Sequence, residues 1–237
     1  MPPEAPAVRM NWVDLLFLHW RVDLALMRTL VPQDLEIDLF DGSAWIGLIP
    51  FRMEKSRFRG FPPLPGLTNF YECNVRTYAR FRGKAGVWFF SLDAQTLLPV
   101  LGGRWLWKLN YVYSRFKVAR SDDVIDYQLS RRSGPWPAAR THVKWRVGEP
   151  MPTSQPGSLE HFLTERYWLF TQRGPSDHPK TLAGEVRHEP WLLRRAEVLH
   201  LDDTLIAAAG VATLGSQRPV AFASRLLAVD GFALGNA

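Results

Sequence analysis

One cysteine, Cys73, stands among 237 residues. A single thiol excludes an internal disulfide and any metal site built from several cysteines. Other metal-binding spacings are missing too: neither HExxH nor HxH occurs, and the six histidines at 19, 142, 161, 178, 188 and 200 are scattered. No metal and no other cofactor is expected. A GxSxG elbow and a phosphate-binding glycine loop are likewise absent. Long apolar runs are also lacking. The richest early one, WVDLLFLHWRV, carries Asp14, His19 and Arg21 and is too short to span a bilayer. The opening MPPEAPAVRMNW lacks the charged-then-apolar layout of a secretory leader. These features predict a cytoplasmic protein with no membrane partner.

Basic tails are absent although the charge is not balanced: 29 Lys and Arg face 23 Asp and Glu, a formal +6. The arginines are spread along the chain, so no nucleic-acid partner is expected. A basic pocket for a small anion accounts for the excess equally well. Self-association into a homo-oligomer is compatible with the same composition.

What the chain has in plenty is aromatic surface, with 10 Trp and 14 Phe in a composition 46% hydrophobic. Such content suits strands and side-chain-lined cavities. The length supports a full core, and no repeat or long linker divides it, so residues 1–237 read as a single domain. LLFLHWRV (15–22) is a first strand. Asp23 caps a short helix, LALMRTL, which Val31-Pro32 stops. LEIDLF, the turn Asp41-Gly42 and SAWIGLIPFRM give a hairpin signal. RGFPPLPGL (59–67) is a Pro/Gly loop.

LTNFYECNVRTYARFRG (67–83) then pairs with VWFFSLDA, and the expected register joins 68–81 to 86–92. Asp93 is positioned to cap a helix, AQTLLPVLGGRWLWKL, whose regularity Pro99, Gly102 and Gly103 weaken. Strands YVYSRFKVAR, DVIDYQLSRR and RTHVKWRV follow. Ser158 starts the helix LEHFLTE, and RYWLFTQ, LAGEVRHEP and RRAEVLHL read as strands. DDTLIAAAG is a capped helix ended by Gly210, and VAFASRLLAV a final strand. About ten strands and three or four short helices predict an α+β fold, mainly β, with an antiparallel barrel or folded sheet.

The long strand at 70–81 carries the chemistry. Its two-residue period places Cys73, Val75, Ala79 and Phe81 on a dry face and Phe70, Glu72, Asn74, Arg76, Tyr78 and Arg80 on the other. The returning VWFFSLD is apolar on both faces, so neither side of the hairpin is expected to meet open water. Glu72 and Arg76 are then desolvated polar groups that need partners. An internal ion-pair network and a pocket wall both satisfy that need. Weaker candidates for acid–base work are His161 with Glu160 and Glu165, and His188 with Glu185 and Glu189. Arg166 is expected to pair across the sheet.

Several blocks in order carry a resemblance: LLFLHWRV, LVPQDLEIDLFDGSAWIGLIPFRM, GLTNFYECNVRTYARFRGKAGVWFFSLDA, PGSLEHFLTERYWLF and W…RRAEV. Through them the chain resembles the YqjF-like, or DUF2071, family, which is placed near acetoacetate decarboxylase. The resemblance implies a cone-like, largely antiparallel β-barrel around a small-molecule cavity, with a few short peripheral helices. VPQDLEI is similar to a decarboxylase Pro and Leu-Glu pair, and FYEC sets Glu72 where those enzymes carry a pocket glutamate. LDAQTLLPVLGGRWLWKLNY is similar to their next block, but a gap-free comparison puts Tyr111 at the Schiff-base lysine and Val112 at its neighbouring lysine. Val13 falls near the place of a pocket arginine.

An imine needs an amine, and Tyr111 has none. Lys108, three residues earlier, is expected at a helix end. Acetoacetate decarboxylase chemistry is therefore not expected. Two readings stay open. In one, Glu72 is the acid–base group, Arg76 binds a carboxylate or enolate, and Asn74, Tyr78, Tyr111 and Lys108 line the ligand site of a cofactor-independent enzyme. In the other, the same groups satisfy a small-molecule ligand without reaction.

Overall fold

A computed structural model describes residues 5–60, 68–97, 108–132, 136–173, 179–212 and 214–235. The strands are β1 (Val8–Val22), β2 (Glu36–Ile37), β3 (Ala44–Phe58), β4 (Phe70–Phe81), β5 (Lys84–Ala94), β6 (Tyr111–Tyr113), β7 (Arg115–Ser121), β8 (Val124–Arg131), β9 (Ala139–Pro150), β10 (Trp168–Arg173), β11 (Lys180–His188), β12 (Arg194–Asp203) and β13 (Val220–Gly231). The helices are short: α1 (Leu24–Leu30), α2 (Leu159–Thr164) and α3 (Leu205–Ala208). The fold is mainly β, as the sequence predicts.

Local chemistry explains the boundaries. The Asp23 carboxylate accepts the Leu26 amide at 2.9 Å and starts α1, and Val31 in extended backbone ahead of Pro32 ends it. Ser158 caps α2 through the His161 amide, and Asp203 accepts the Ile206 amide at the start of α3. Asp41-Gly42 and Arg82-Gly83 both have positive φ at the two turn positions, the primed geometry that matches strand twist. Arg82-Gly83 closes the β4–β5 hairpin, whose register runs from Phe81–Lys84 to Glu72–Ala94. The Asp41-Gly42 turn closes only a Phe40–Ser43 bridge. The predicted hairpin does not extend from it, because β2 pairs with β4, through Glu36–Arg80 and Ile37–Ala79.

Hydrogen bonding runs β1-β3-β4-β5-β10-β11-β13, and β13 pairs with β1 again over Val8–His19 and Val220–Gly231. Pairings among these strands thus return to their start. From β13 a branch continues through β12, β9 and β8 to β7. Among the described strands only β6 and β10 run parallel to a partner, in each case β5. Gly86 makes the β10 seam possible: a Cβ there would lie 2.4 Å from the Trp168 carbonyl oxygen.

Two cores result, one on each face of β1, β3 and β4. Leu16, Leu18, Ile46, Leu48, Cys73 and Val75 pack against Ile125, Tyr127, Val143 and Trp145 of the branch. The opposite face buries Phe17, Trp45, Ile49, Phe51, Phe70 and Tyr78 against Leu163 and Trp191. The expected dry row of Cys73 and Val75 is therefore sandwiched between layers.

Two further expectations are corrected. Asp93 does not cap a helix; it is a fully buried residue of β5 whose carboxylate meets Arg131 at 3.3 Å and accepts from Ser91 and Ser114. Arg131 comes from the far end of β8, a partner that a local capping signal does not reveal. RYWLFTQ starts its strand later than predicted, at Trp168, since Glu165 terminates α2. The helix predicted through Pro99, Gly102 and Gly103 and most of the Pro/Gly loop lie outside the described residues.

Candidate functional site

Alternation along β4 sets Glu72, Asn74, Arg76 and Tyr78 on the Trp191 side of the sheet. Their exposures are 2%, 7%, 8% and 0%. Water does not solvate this face. Four polar residues in succession on a buried wall require specific partners.

At one end, the Tyr111 phenol donates to Glu72 Oε2 at 3.2 Å. Parallel pairing of β6 with β5 brings Tyr111 beside Leu92 and so within reach of β4. Below the sheet, Tyr127 donates to the Glu72 carbonyl at 2.8 Å, tying the strand to the β8 layer. Burial pushes the Glu72 carboxyl up from 4.5 to about 8; donors on Tyr111 and Asn74 pull the other way, and Asp93 adds repulsion. The carboxyl is thus mostly protonated at neutral pH and able both to give and to take a proton.

At the other end, Arg76 Nη2 donates to the Leu163 carbonyl at 3.2 Å, and the Tyr78 phenol donates to the same oxygen at 2.8 Å. The guanidinium carbon lies 5.8 Å from the ring centres of Phe17 and Tyr78. Its Nε is buried without a hydrogen-bond partner, as is Asn74 Oδ1. Neither Glu72 nor Arg76 enters an ion pair among the described residues. The expected internal salt-bridge network does not include them.

His19 completes this end, a residue the sequence reading placed only among scattered histidines. It lies on β1 in register with Gly47, which in turn faces Arg76. The ring crosses over that glycine, where a Cβ would be 2.9 Å from Cδ2, and its Nε2 meets the Tyr78 oxygen at 2.7 Å. Tyr78 has one proton and gives it to the Leu163 carbonyl, so Nε2 of His19 carries the proton of their bond. Burial, reinforced by the Arg76 charge, holds the imidazole well below 6.5 and hence neutral. The available signal was its alternation with Leu15 and Phe17 along β1.

Other candidates separate from this wall. Arg166 pairs with Asp38 at 2.5 Å and lies over the Phe162 ring, but both residues stand outside the strands, so the pair joins two connecting segments rather than crossing the sheet as expected. Glu165 is occupied by the Tyr167 phenol at 2.6 Å and the Trp191 amide at 2.9 Å. Glu185 pairs with Arg187, and His188 Nδ1 bonds the Glu189 carbonyl, so the His188 set does not converge on carboxylates. Lys108 is half-buried in non-helical backbone with φ of 51°, and its carbonyl accepts from Thr171. No helix is described at Lys108. Among the described residues no group of three or more His, Cys, Asp or Glu is arranged to hold a metal ion. No described helix is long and apolar enough to cross a membrane.

The DUF2071 model, described as an uncharacterized conserved protein, matches residues 9–228. The chain belongs to the DUF2071 family. Its relative "Uncharacterized protein YqjF" of Bacillus subtilis (strain 168) is 40% identical over 213 residues, spanning 90% of this chain and 85% of YqjF. Among solved structures, this DUF2071 chain is similar to the enduracididine biosynthesis enzyme MppR complexed with pyruvate, at TM-score 0.68 and 15% identity, covering 99% of this chain and 91% of that one. It is also similar to acetoacetate decarboxylase from Legionella pneumophila subsp. pneumophila str. Philadelphia 1, at TM-score 0.67 and 14% identity over 100% and 93% of the two chains. The DUF2071 chain therefore has acetoacetate decarboxylase-like fold neighbours, as its motifs imply, and at these identities the likeness concerns the fold alone.

Proposed function

We propose that this protein binds a small oxygenated organic anion within a cone-like β-barrel, and that Arg76 and Glu72 are its anion clamp and acid–base group. The observation that carries the reading is the burial of both on one wall without an ion pair. A buried, uncompensated guanidinium is costly, and a bound carboxylate relieves that cost with charged hydrogen bonds. The unpartnered Nε of Arg76 and Oδ1 of Asn74 supply further contacts. The fold neighbour complexed with pyruvate is a precedent for a small oxo acid on this scaffold.

The reaction class favoured is proton transfer next to a carbonyl. Glu72 in its ionised form removes a proton from the carbon beside the carbonyl, and the C–H electron pair moves into an enolate. Protonated Glu72 then returns the proton. Tyr111 orients the carboxyl, and Tyr78 orients the clamp. Imine chemistry is not part of this reading: the residue set against the decarboxylase lysine is Tyr111, whose phenol bonds Glu72.

The non-catalytic alternative rests on one observation, that Glu72 already has donors in Tyr111 and Asn74. One experiment addresses both. Small oxo and hydroxy acids are titrated by calorimetry, and exchange of their acidic protons in D2O is followed by NMR. Arg76→Ala is expected to weaken binding by about 2–3 kcal/mol, the scale of a charged hydrogen bond. Glu72→Gln is expected to abolish exchange while largely sparing affinity. Binding without any exchange makes the protein a binder; unchanged binding to both variants removes the assignment.

A further inference from the structure

Resting on that reading of Arg76 and Glu72, we infer that the ligand is an extended carboxylate whose second oxygen function lies about five carbons from the carboxyl group. The α- and β-oxo acids are then too short to engage both ends of the wall.

Spacing carries the first part of the argument. Four residues of strand separate the two side chains, about 13 Å at a rise of roughly 3.3 Å per residue. Arg76 is not among the groups that act on the Glu72 carboxyl, although Asn74, between them, donates to it. Arg76 Nη2 shares the Leu163 carbonyl with Tyr78, which draws the guanidinium toward residue 78 and away from Glu72. The groups acting on the Glu72 carboxyl are Tyr111, Asn74 and Asp93, whereas the Arg76 charge acts on His19 and His188. With about 3 Å given to a hydrogen bond at each end, about 7 Å is left for the ligand. An extended carbon chain advances about 1.25 Å per bond, so about five bonds from the carboxyl carbon to the second oxygenated carbon, with the oxygens beyond them, span that length.

The chemistry of the wall between the ends agrees. Asn74 is flanked in register by Ile49 on β3 and Leu92 on β5, both buried in the same core. A methylene chain matches those two side chains. The unpartnered Asn74 Oδ1 offers one acceptor midway, so a hydroxyl along the chain would also be received. Polar end, apolar middle and cationic end describe a linear oxo or hydroxy carboxylate.

The test is a calorimetric series on the unaltered protein: pyruvate, acetoacetate, 4-oxopentanoate, 5-oxohexanoate and 6-oxoheptanoate. Affinity is expected to rise about fourfold per added methylene, the usual gain for burying one, and to peak at 5- or 6-oxo acids. Glu72→Leu should remove the advantage of the long members over the short ones. If pyruvate or acetoacetate binds best, and Arg76→Ala still weakens it, the length inference is overturned while the clamp stands. If no member of the series binds, or Arg76→Ala alters none, the clamp itself is overturned and the inference with it.

Discussion

A methyl group at residue 47 would sit 2.9 Å from His19 Cδ2 and 3.0 Å from Nε2, closer than carbon normally approaches either atom. Gly47→Ala is therefore expected to push the imidazole off Tyr78 and to cost about 1–3 kcal/mol, the range for overpacking a core. Urea unfolding measures the loss, and an unchanged His19 resonance in the variant would show that the ring is held by something else. Glu72 leaves a different mark. Between its ordinary 4.5 and about 8 the folded chain keeps a proton that the unfolded chain releases, so stability falls as pH rises through that window. The slope is up to about 1.4 kcal/mol per pH unit. Burial raises Asp93 as well, with the same sign from lower pH. His19, held below 6.5, opposes them only under pH 6.5, because there the unfolded chain takes up a proton that the folded chain refuses. From pH 6.5 to 8 Glu72 contributes to that fall, and Glu72→Gln should make it shallower; equal slopes in parent and variant would place the titration elsewhere. Glu72, Asn74, Arg76 and Tyr78 were legible because a strand's period is local information. His19 and the Leu163 carbonyl were not, since their roles depend on β1 and α2 meeting β4, and backbone acceptors leave no trace in a sequence.

At the scale of elements, the same division between local and distant causes recurs. Strands with clear alternation, the Asp23 and Ser158 caps and the Arg82-Gly83 turn appear where they are expected, each governed by a few neighbouring residues. Asp93 illustrates the opposite case. An acidic residue ahead of Ala-Gln-Thr carries a valid capping signal, yet its carboxylate is claimed by Arg131, 38 residues later. That pair does more than fill space: Ser114 donates to Asp93 at 2.6 Å just after β6, so the pair anchors the strand that presents Tyr111 to Glu72. Arg131→Met leaves a buried carboxylate uncompensated and is expected to cost about 3–5 kcal/mol. Replacing both members, as Asp93→Asn with Arg131→Met, should recover part of that loss. A double variant no more stable than the single one would argue against an electrostatic cause. The β2–β4 pairing was missed for a related reason: an Asp-Gly turn specifies a reversal, but not which strand the incoming segment will join.

Across the whole molecule, charge and connectivity decide how the parts behave together. The exposed β7 ends the branch with Arg115, Lys117 and Arg120 along its length, cations that discourage another chain from adding a strand at that edge. Arg120 turns back to clasp Asp14 at 2.8 Å, at the place where β1 bulges against β3. The branch is thereby fastened to the strand that begins the order. The β1–β13 seam has a consequence in time as well as in space. Val8 faces Gly231 across it, so one of the largest strand pairings joins segments separated by nearly the full described chain. Such contacts give a high contact order, and closing a loop of that size precedes any reward from the pairing. During synthesis β1 emerges early and waits with one edge unpaired, exposed to any other extended segment nearby, until β13 has left the ribosome. The core that covers the wall bearing Glu72 and Arg76 includes Phe222, Leu227 and Val229 of β13, so that core is complete only after β13 arrives.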